Sequence, residues 1–128
     1  MTNQNVPIKR ILIVDDEAAI VSLCQRVLSS EGFDVESAAN GKEAQALINE
    51  REYDLYLLDF KMPAMDGKEL YQWLRKTYPH SADRVIFVTG SSLGEATDSL
   101  IRDSGRPLLN KPFTTTELLG AIKEWLGK

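Results

Sequence analysis

The segment Ile11-Leu12-Ile13-Val14-Asp15-Asp16-Glu17 decides the fold of this 128-residue chain. Four aliphatic residues in a row suit a strand that is covered on both faces, as in a parallel sheet, because a strand with one wet face would alternate. Three acidic residues follow where that strand would end. The segment therefore predicts a buried parallel strand with an acidic cluster at its carboxyl end.

Four other short apolar runs follow along the chain: Val35–Ala38, Leu55–Leu58, Val85–Val88 and Leu108–Leu109. Apolar residues at helical spacing fill the intervals between them. Because helices between successive strands require parallel pairing with right-handed crossovers, we predict one doubly wound (βα)5 α/β domain, for which 2-1-3-4-5 is a common strand order. We assign residues 1–8 to a tail and 9–128 to the domain, with the weaker Val35–Ala38 as an outer strand.

Helix boundaries are indicated by pairs that resemble capping boxes, in which a side-chain oxygen and a carboxylate satisfy the first backbone amides. The pairs are Asn40 with Glu43, Asp66 with Glu69, and Thr114 with Glu117. Three glycines mark helix ends: Gly32, Gly105 and Gly127. The fourth helix, between Leu93 and Ser104, follows a segment rich in glycine and serine, so we expect it to be short or mobile.

Amino-acid composition excludes several classes of protein and of partner. Hydrophobic residues make up 43% of the chain and charged residues 27%, with a net charge of −4. These values exclude overall disorder, and the acidic balance argues against direct nucleic-acid binding. The single cysteine, Cys24, excludes an internal disulfide and is expected in the core. No apolar run approaches the ~20 residues of a membrane span, and Met1–Pro7 lacks a signal sequence, so we expect a cytoplasmic protein.

Polar residues end the central strands, and parallel strand ends meet at one edge of the sheet. They are Asp15, Asp16, Asp59, Thr89 and Lys111. Carboxylates that are close together repel unless a cation joins them, and Mg²⁺ favours an open site with few carboxylates. A lysine and a hydroxyl suit phosphoryl oxygens, and Asp59 could act as a nucleophile. These residues together predict a metal-assisted phosphoryl site.

The chain resembles the receiver domains of the two-component response regulator family over nearly all its length. Four segments carry the resemblance: Ile11–Glu17, Leu58–Gly67, Val88–Gly90 and Lys111–Phe113. The resemblance implies the flavodoxin-like sheet order 2-1-3-4-5. It also implies that Asp59 accepts a phosphoryl group from a phosphohistidine, and that the domain has only self-phosphorylation and autodephosphorylation activity rather than being an enzyme proper.

The resemblance also implies roles for individual residues. Mg²⁺ or Mn²⁺ would be held by Asp15, Asp16, Asp59 and the backbone carbonyl of Lys61, with Asp16 as the direct ligand and Asp15 often acting through water. Phosphoryl contacts would come from Thr89, Lys111 and the backbone of Phe60 and Gly90. A cis peptide would precede Pro112, and the switch positions would be Thr89 and Leu108.

The implied partner is a histidine kinase or a histidine phosphotransfer protein, with no direct nucleic-acid or membrane contact and a monomer or weak dimer as the assembly. Residues 104–113 resemble receivers that are attached to hybrid sensor kinases. No output domain follows the last helix, so we expect either a stand-alone receiver or a piece of a larger chain.

Three alternative functions make different demands on the sequence. An aspartate-nucleophile phosphatase would carry a second carboxylate two residues after the nucleophile, where this chain has Lys61. A flavin or nucleotide module would need a Gly/Ser/Thr-rich loop after the first strand, which is acidic here. A degenerate receiver, folded but never phosphorylated, is the remaining alternative, although the five key positions are intact.

Several residues receive structural interpretations. We expect His80 in an exposed loop, Trp73 and Trp125 in helix packing, and Glu17 at the start of the first helix, where negative charge is favoured. Many receivers carry an aromatic residue at the position of Leu108, whose ring turns with the threonine. We hypothesise that Leu108 stays packed in both states and that the response appears instead in the loop of residues 90–94 and in the short helix after it.

Overall fold

The computed structural model describes residues 9–60, 65–90 and 95–126, with the backbone alone for residues 95–98. The strands are β1 (Arg10–Val14), β2 (Asp34–Ala38), β3 (Leu55–Asp59), β4 (Val85–Thr89) and β5 (Leu108–Asn110). The helices are α1 (Ala18–Ser30), α2 (Gly41–Glu50), α3 (Gly67–Thr77), α4 (Pro79–Ala82), α5 (Glu95–Ser104) and α6 (Thr115–Leu126).

The five strands form one parallel sheet in the order β2-β1-β3-β4-β5. The predicted fold class and strand order are therefore confirmed. β3 and β4 are buried along their whole length, whereas β2 is mostly half-buried, as expected of an outer strand. The strand order reverses at β1, which pairs with β2 on one side and β3 on the other. Ligand sites in such sheets lie at the carboxyl ends of the strands near this reversal.

The core consists of two layers, because successive strand residues point to opposite faces of the sheet. Ile11 and Ile13 lie on the face that packs against Cys24 of α1 and Ile122 of α6. Leu12 and its neighbours on the other face pack against residues of α2, α3 and α5. Continuous aliphatic strands are thus explained by helices on both sides, and Cys24 occupies the predicted core position.

The predicted capping residues begin their helices. The amides of Glu43, Glu69 and Glu117 donate to the side-chain oxygens of Asn40, Asp66 and Thr114 at 2.9, 2.9 and 3.0 Å. At α6 the box is reciprocal, since the amide of Thr114 donates to Glu117 Oε1 at 2.9 Å. Gly32 and Gly105, past the ends of α1 and α5, have the positive φ that favours glycine. Gly127 lies outside the described residues.

Two predictions about secondary structure need correction. His80 does not lie in a loop but in the four-residue α4, although it is exposed as expected. Pro79 occupies the first turn of that helix, where its missing N–H costs nothing. The fourth predicted helix is α5, which runs for ten residues, so the alternative of a short helix is wrong and the alternative of a mobile one stays a prediction. Trp73 and Trp125 are partly buried against the two core layers, as predicted. Within the described ranges, no helix has the length and apolar character needed to cross a membrane.

Candidate functional site

The polar strand-end residues come together at the carboxyl edge of the sheet. Asp59 is the last residue of β3 and Thr89 the last of β4, while Asp15 and Lys111 directly follow β1 and β5. Asp15, Asp59 and Thr89 are all buried, with 4–6% of each residue exposed. The parallel pairing of the strands therefore places two buried carboxylates and a hydroxyl from distant segments in one crevice.

Lys111 is the centre of this arrangement. Its Nζ lies 2.6 Å from Glu17 Oε1, 2.9 Å from Asp15 Oδ2 and 3.4 Å from Asp59 Oδ2. The lysine side chain is only 11% exposed. An ammonium group has three N–H donors, so each of them has a carboxylate partner. The side chain thus links the ends of β1, β3 and β5.

The protonation of Lys111 follows from these contacts. Burial by itself would lower the pKa of the amine, but the hydrogen bonds from Nζ to Glu17 and Asp15 outweigh it, so the pKa lies above its usual range. Lys111 is therefore a permanent positive charge in the site. Beneath it, burial and the nearby Asp15 raise the pKa of the Cys24 thiol to about 11, which keeps that side chain neutral.

Glu17 is the site residue that sequence reasoning missed. It is the N-cap residue of α1, so its predicted place at the helix start is correct, but its side chain makes no capping hydrogen bond. Its carboxylate reaches Lys111 instead, across 94 residues of sequence. Its backbone amide donates to Asp15 Oδ1 at 2.9 Å. The signal available in the sequence was the third consecutive acidic residue after β1.

The carboxylates of Asp15, Glu17 and Asp59 form a cluster in which one oxygen of each lies within 4.8 Å of the others. Among the residues that the structure describes, Lys111 is the cation paired with this cluster, and it balances one of the three negative charges. Asp16, the predicted direct metal ligand, is exposed beside the cluster and is not a member of it. Oxygen donors that carry excess negative charge are the ligand type that Mg²⁺ prefers, so the donor set fits a hard divalent cation.

The remaining predicted site residues are placed as follows. The amide of Phe60 donates to the carbonyl of Val88 at 3.2 Å, and the amide of Lys111 donates to the carbonyl of Thr89 at 2.7 Å. Gly90 is exposed beside the Lys111 side chain. The peptide bond between Lys111 and Pro112 is cis. Lys61, whose carbonyl was predicted as a metal ligand, lies outside the described residues.

Leu108 departs from the expectation that it stays packed. It is 40% exposed on β5, opposite Phe87 of β4, and is the exposed large hydrophobic residue in the described part of the chain. β5 is an edge strand, so the side chain that points away from the core meets solvent. Most of the loop expected to respond, residues 91–94, lies outside the described residues.

Comparison with known proteins now settles the family. The family model for the response regulator receiver domain matches residues 11–123. This chain belongs to the response regulator receiver domain family. The matched range spans β1 through most of α6, and it contains each strand end that contributes to the site.

Two solved structures of receiver proteins have folds similar to that of this chain. A CheY-like response regulator receiver domain protein from Methanospirillum hungatei JF-1 is 36% identical, with a TM-score of 0.86 over 94% of this chain and 95% of that one. Chemotaxis response regulator CheY4 of Vibrio cholerae is 26% identical, with a TM-score of 0.83 over 93% of this chain and 99% of that one.

A curated relative is much longer than this chain. The sensor kinase CckA of Brucella abortus (strain 2308) is 38% identical over 120 residues, which cover 92% of this chain. The chain spans only 12% of the length of that relative. The likeness to a sensor kinase is therefore a likeness to one part of it.

Proposed function

We propose that this receiver is a phosphorylation switch in which Asp59 accepts a phosphoryl group from a phosphohistidine. The observation that carries the proposal is the position of Asp59: a buried carboxylate at the end of the central strand, with the Lys111 amine 3.4 Å from its Oδ2. A cationic group beside the acceptor carboxylate stabilises the negative charge of the phosphoryl oxygens during transfer. Membership of the receiver family supports the same role.

In the proposed reaction, an oxygen of Asp59 attacks the phosphorus atom of the phosphohistidine. The new O–P bond forms as the N–P bond breaks, and the bonding electrons leave with the imidazole, which takes up a proton. Because phosphoryl transfer depends mostly on positioning and charge neutralisation, we assign Lys111 to the phosphoryl oxygens. We also assign to them the Thr89 hydroxyl and the backbone amide of Gly90, whereas the Phe60 amide already donates to the carbonyl of Val88.

Mg²⁺ or Mn²⁺ would be held by the carboxylates of Asp15, Asp16 and Asp59 together with the Lys61 carbonyl. When bound, the cation supplies charge neutralisation for the phosphoryl oxygens. Asp15 is buried and hydrogen-bonded on both oxygens, to the Lys111 amine and the Glu17 amide, so it serves as a fixed negative charge. Asp16 is the proposed direct ligand, and its exposure at the rim leaves it open to a cation that arrives from solvent.

The partner that follows from this chemistry is a histidine kinase or a histidine phosphotransfer protein in the cytoplasm. We propose that the domain works as a monomer or weak dimer, without nucleic acid or membrane. Leu108 has no polar tip, so the phosphorylated state would be reported by Thr89 and residues 90–94 rather than by an aromatic rotamer. Loss of the phosphoryl group to water would reset the switch.

The decisive experiment is phosphorylation by a small donor. The protein is incubated with acetyl phosphate and Mg²⁺, and its intact mass is measured over time. We expect one phosphoryl adduct in the wild type, none in Asp59→Asn, and an unchanged adduct in Asp83→Asn, which alters an exposed aspartate at the opposite edge. An adduct that survives Asp59→Asn would contradict the assignment, and no adduct in the wild type would favour the degenerate receiver.

A further inference from the structure

We propose that Glu17 competes with the phosphoryl group on Asp59 for the Lys111 amine, and that this competition lowers the stability of the phosphorylated state. Glu17 is thus a positioning residue that acts through Lys111. The inference rests on the proposed function, since it takes Asp59 as the phosphoacceptor. It assigns to the third acidic residue after β1 a role distinct from metal binding.

The distances around Lys111 carry the argument. Glu17 Oε1 is nearer to Nζ than either aspartate, at 2.6 Å against 2.9 Å for Asp15 and 3.4 Å for Asp59. The three donors of the ammonium group all face carboxylates. A phosphoryl oxygen on Asp59 therefore gains a hydrogen bond from Lys111 only if the amine gives up or weakens one of these contacts.

Besides Asp59, which itself carries the phosphoryl group, Glu17 is the partner of Lys111 that can be given up. The Asp15 side chain is 3% exposed, and its other oxygen accepts the Glu17 amide at 2.9 Å, so it is fixed in place. The Glu17 side chain is 57% exposed. Once released, its carboxylate enters water, where solvation offsets the lost contact. It makes no capping bond to α1 that would have to break.

The direction of the effect follows from this exchange. The Glu17–Lys111 contact favours the unphosphorylated site and is absent or weakened when Lys111 holds a phosphoryl oxygen. Removing the Glu17 carboxylate removes the competitor, so the phosphorylated state should gain stability relative to the unphosphorylated one. Because the Glu17 side chain in this contact is half exposed, the gain in stability of the phosphorylated state should be modest.

The test measures the affinity of the protein for beryllofluoride, a mimic of the phosphoryl group on the acceptor carboxylate, at saturating Mg²⁺ by fluorine NMR. We expect Glu17→Ala to bind the mimic about two- to fivefold more tightly than the wild type, which corresponds to a partly exposed ion pair. Glu31→Ala is the matched control, because Glu31 pairs with Lys123 on the surface at 3.0 Å. Its affinity should equal that of the wild type.

A second variant separates contact from charge. Glu17→Asp keeps the negative charge, but its carboxylate is one methylene shorter, and aspartate is a preferred N-cap residue that should turn toward the amides of α1. We expect this variant to bind the mimic as tightly as Glu17→Ala. Wild-type affinity in Glu17→Asp, with tighter binding in Glu17→Ala, would show that charge alone matters and would overturn the proposal.

The other outcomes are equally decisive. Unchanged affinity in both variants would mean that Glu17 does not compete for Lys111. A loss of Mg²⁺ affinity in Glu17→Ala, measured by calorimetry without fluoride, would make Glu17 a metal ligand and also overturn the proposal. A merely structural role would shift the urea unfolding midpoint and leave mimic affinity unchanged. Failure of the wild type to bind the mimic at all would instead reject the proposed function of Asp59.

Discussion

The two edges of the sheet use polar residues in opposite ways. At the carboxyl edge, the carboxylates of Asp15, Glu17 and Asp59 share the Lys111 amine, so these four described groups together carry an excess of negative charge. At the amino edge, polar groups of Asp54 and Arg84 are paired with backbone instead. Asp54 accepts the amide of Arg10 at 2.8 Å, and Arg84 donates to the carbonyl of Tyr53 at 3.1 Å.

The amino edge also contains a buried polar chain that is satisfied internally. The Tyr56 hydroxyl donates to Ser81 Oγ at 3.0 Å and accepts the amide of Tyr53 at 3.3 Å. Buried polar groups are expected to be paired in this way when they serve stability. The contrast teaches that, among the described residues, unbalanced charge rather than polarity itself distinguishes the candidate functional edge of this sheet from the opposite edge.

The largest effect is expected when the Lys111 amine is removed from the carboxyl edge. Lys111→Met removes the cation beside two buried carboxylates, and breaking such an ion pair costs about 3 kcal/mol of unfolding free energy. Lys123→Met is the matched control: it breaks an ion pair whose lysine is 60% exposed, and such pairs are worth less than about 1 kcal/mol. Urea unfolding of both variants checks the difference. Equal losses would show that the site is not electrostatically distinct.

The next effect is the response of stability to Mg²⁺. A cation that binds only the folded state raises the unfolding free energy, by about 2.7 kcal/mol at one hundred times the dissociation constant. We expect this gain in the wild type and most of it to be lost in Asp16→Ala, because Asp16 is the proposed direct ligand. Asp34→Ala, at the amino edge, should retain the whole gain. An undiminished response in Asp16→Ala would exclude Asp16 from the metal site.

The contrast between the edges also explains how much the sequence could predict. The layers of the fold were predictable, because Ile11–Val14 and Val85–Val88 have the continuous apolar character that only a doubly covered strand tolerates. The gathering of Asp15, Asp59 and Lys111 was predictable too, since it follows from strand order alone. These inferences depend on backbone topology, which the hydrophobic pattern specifies.

The features that were not predicted depend on local side-chain geometry. Glu17 was assigned to the helix start, and the pattern could not show whether its carboxylate would turn to the amides of α1 or to Lys111. That choice depends on rotamers of two long side chains from opposite ends of the chain. The four-residue α4 was missed because a single turn, here starting at Pro79, is too short to show helical periodicity.

A smaller effect is expected from the buried polar chain of the amino edge. Tyr56→Phe leaves the Tyr53 amide without its acceptor, and an unsatisfied buried donor costs about 1–3 kcal/mol. Tyr78→Phe is the control, since its hydroxyl donates to Asn49 near the surface and its loss should cost less. Phosphoryl incorporation from acetyl phosphate should be unchanged in both variants. A large drop in incorporation by Tyr56→Phe would show that the two edges are coupled.

The smallest effect is expected at the surface pair of the amino edge. Arg10 Nε lies 3.2 Å from Asp34 Oδ2 between the starts of β1 and β2, and the two side chains are 45% and 51% exposed. Water and salt screen such a pair, so Asp34→Ala should lower the unfolding free energy by less than about 1 kcal/mol.

Adding salt should reduce this difference in unfolding free energy, because exposed charges are screened within about 10 Å at 0.1 M. Urea unfolding at low and high salt measures both quantities. The salt response of Lys111→Met, whose site is buried, should be weaker than that of Asp34→Ala, and the reverse order would contradict the distinction between the two edges.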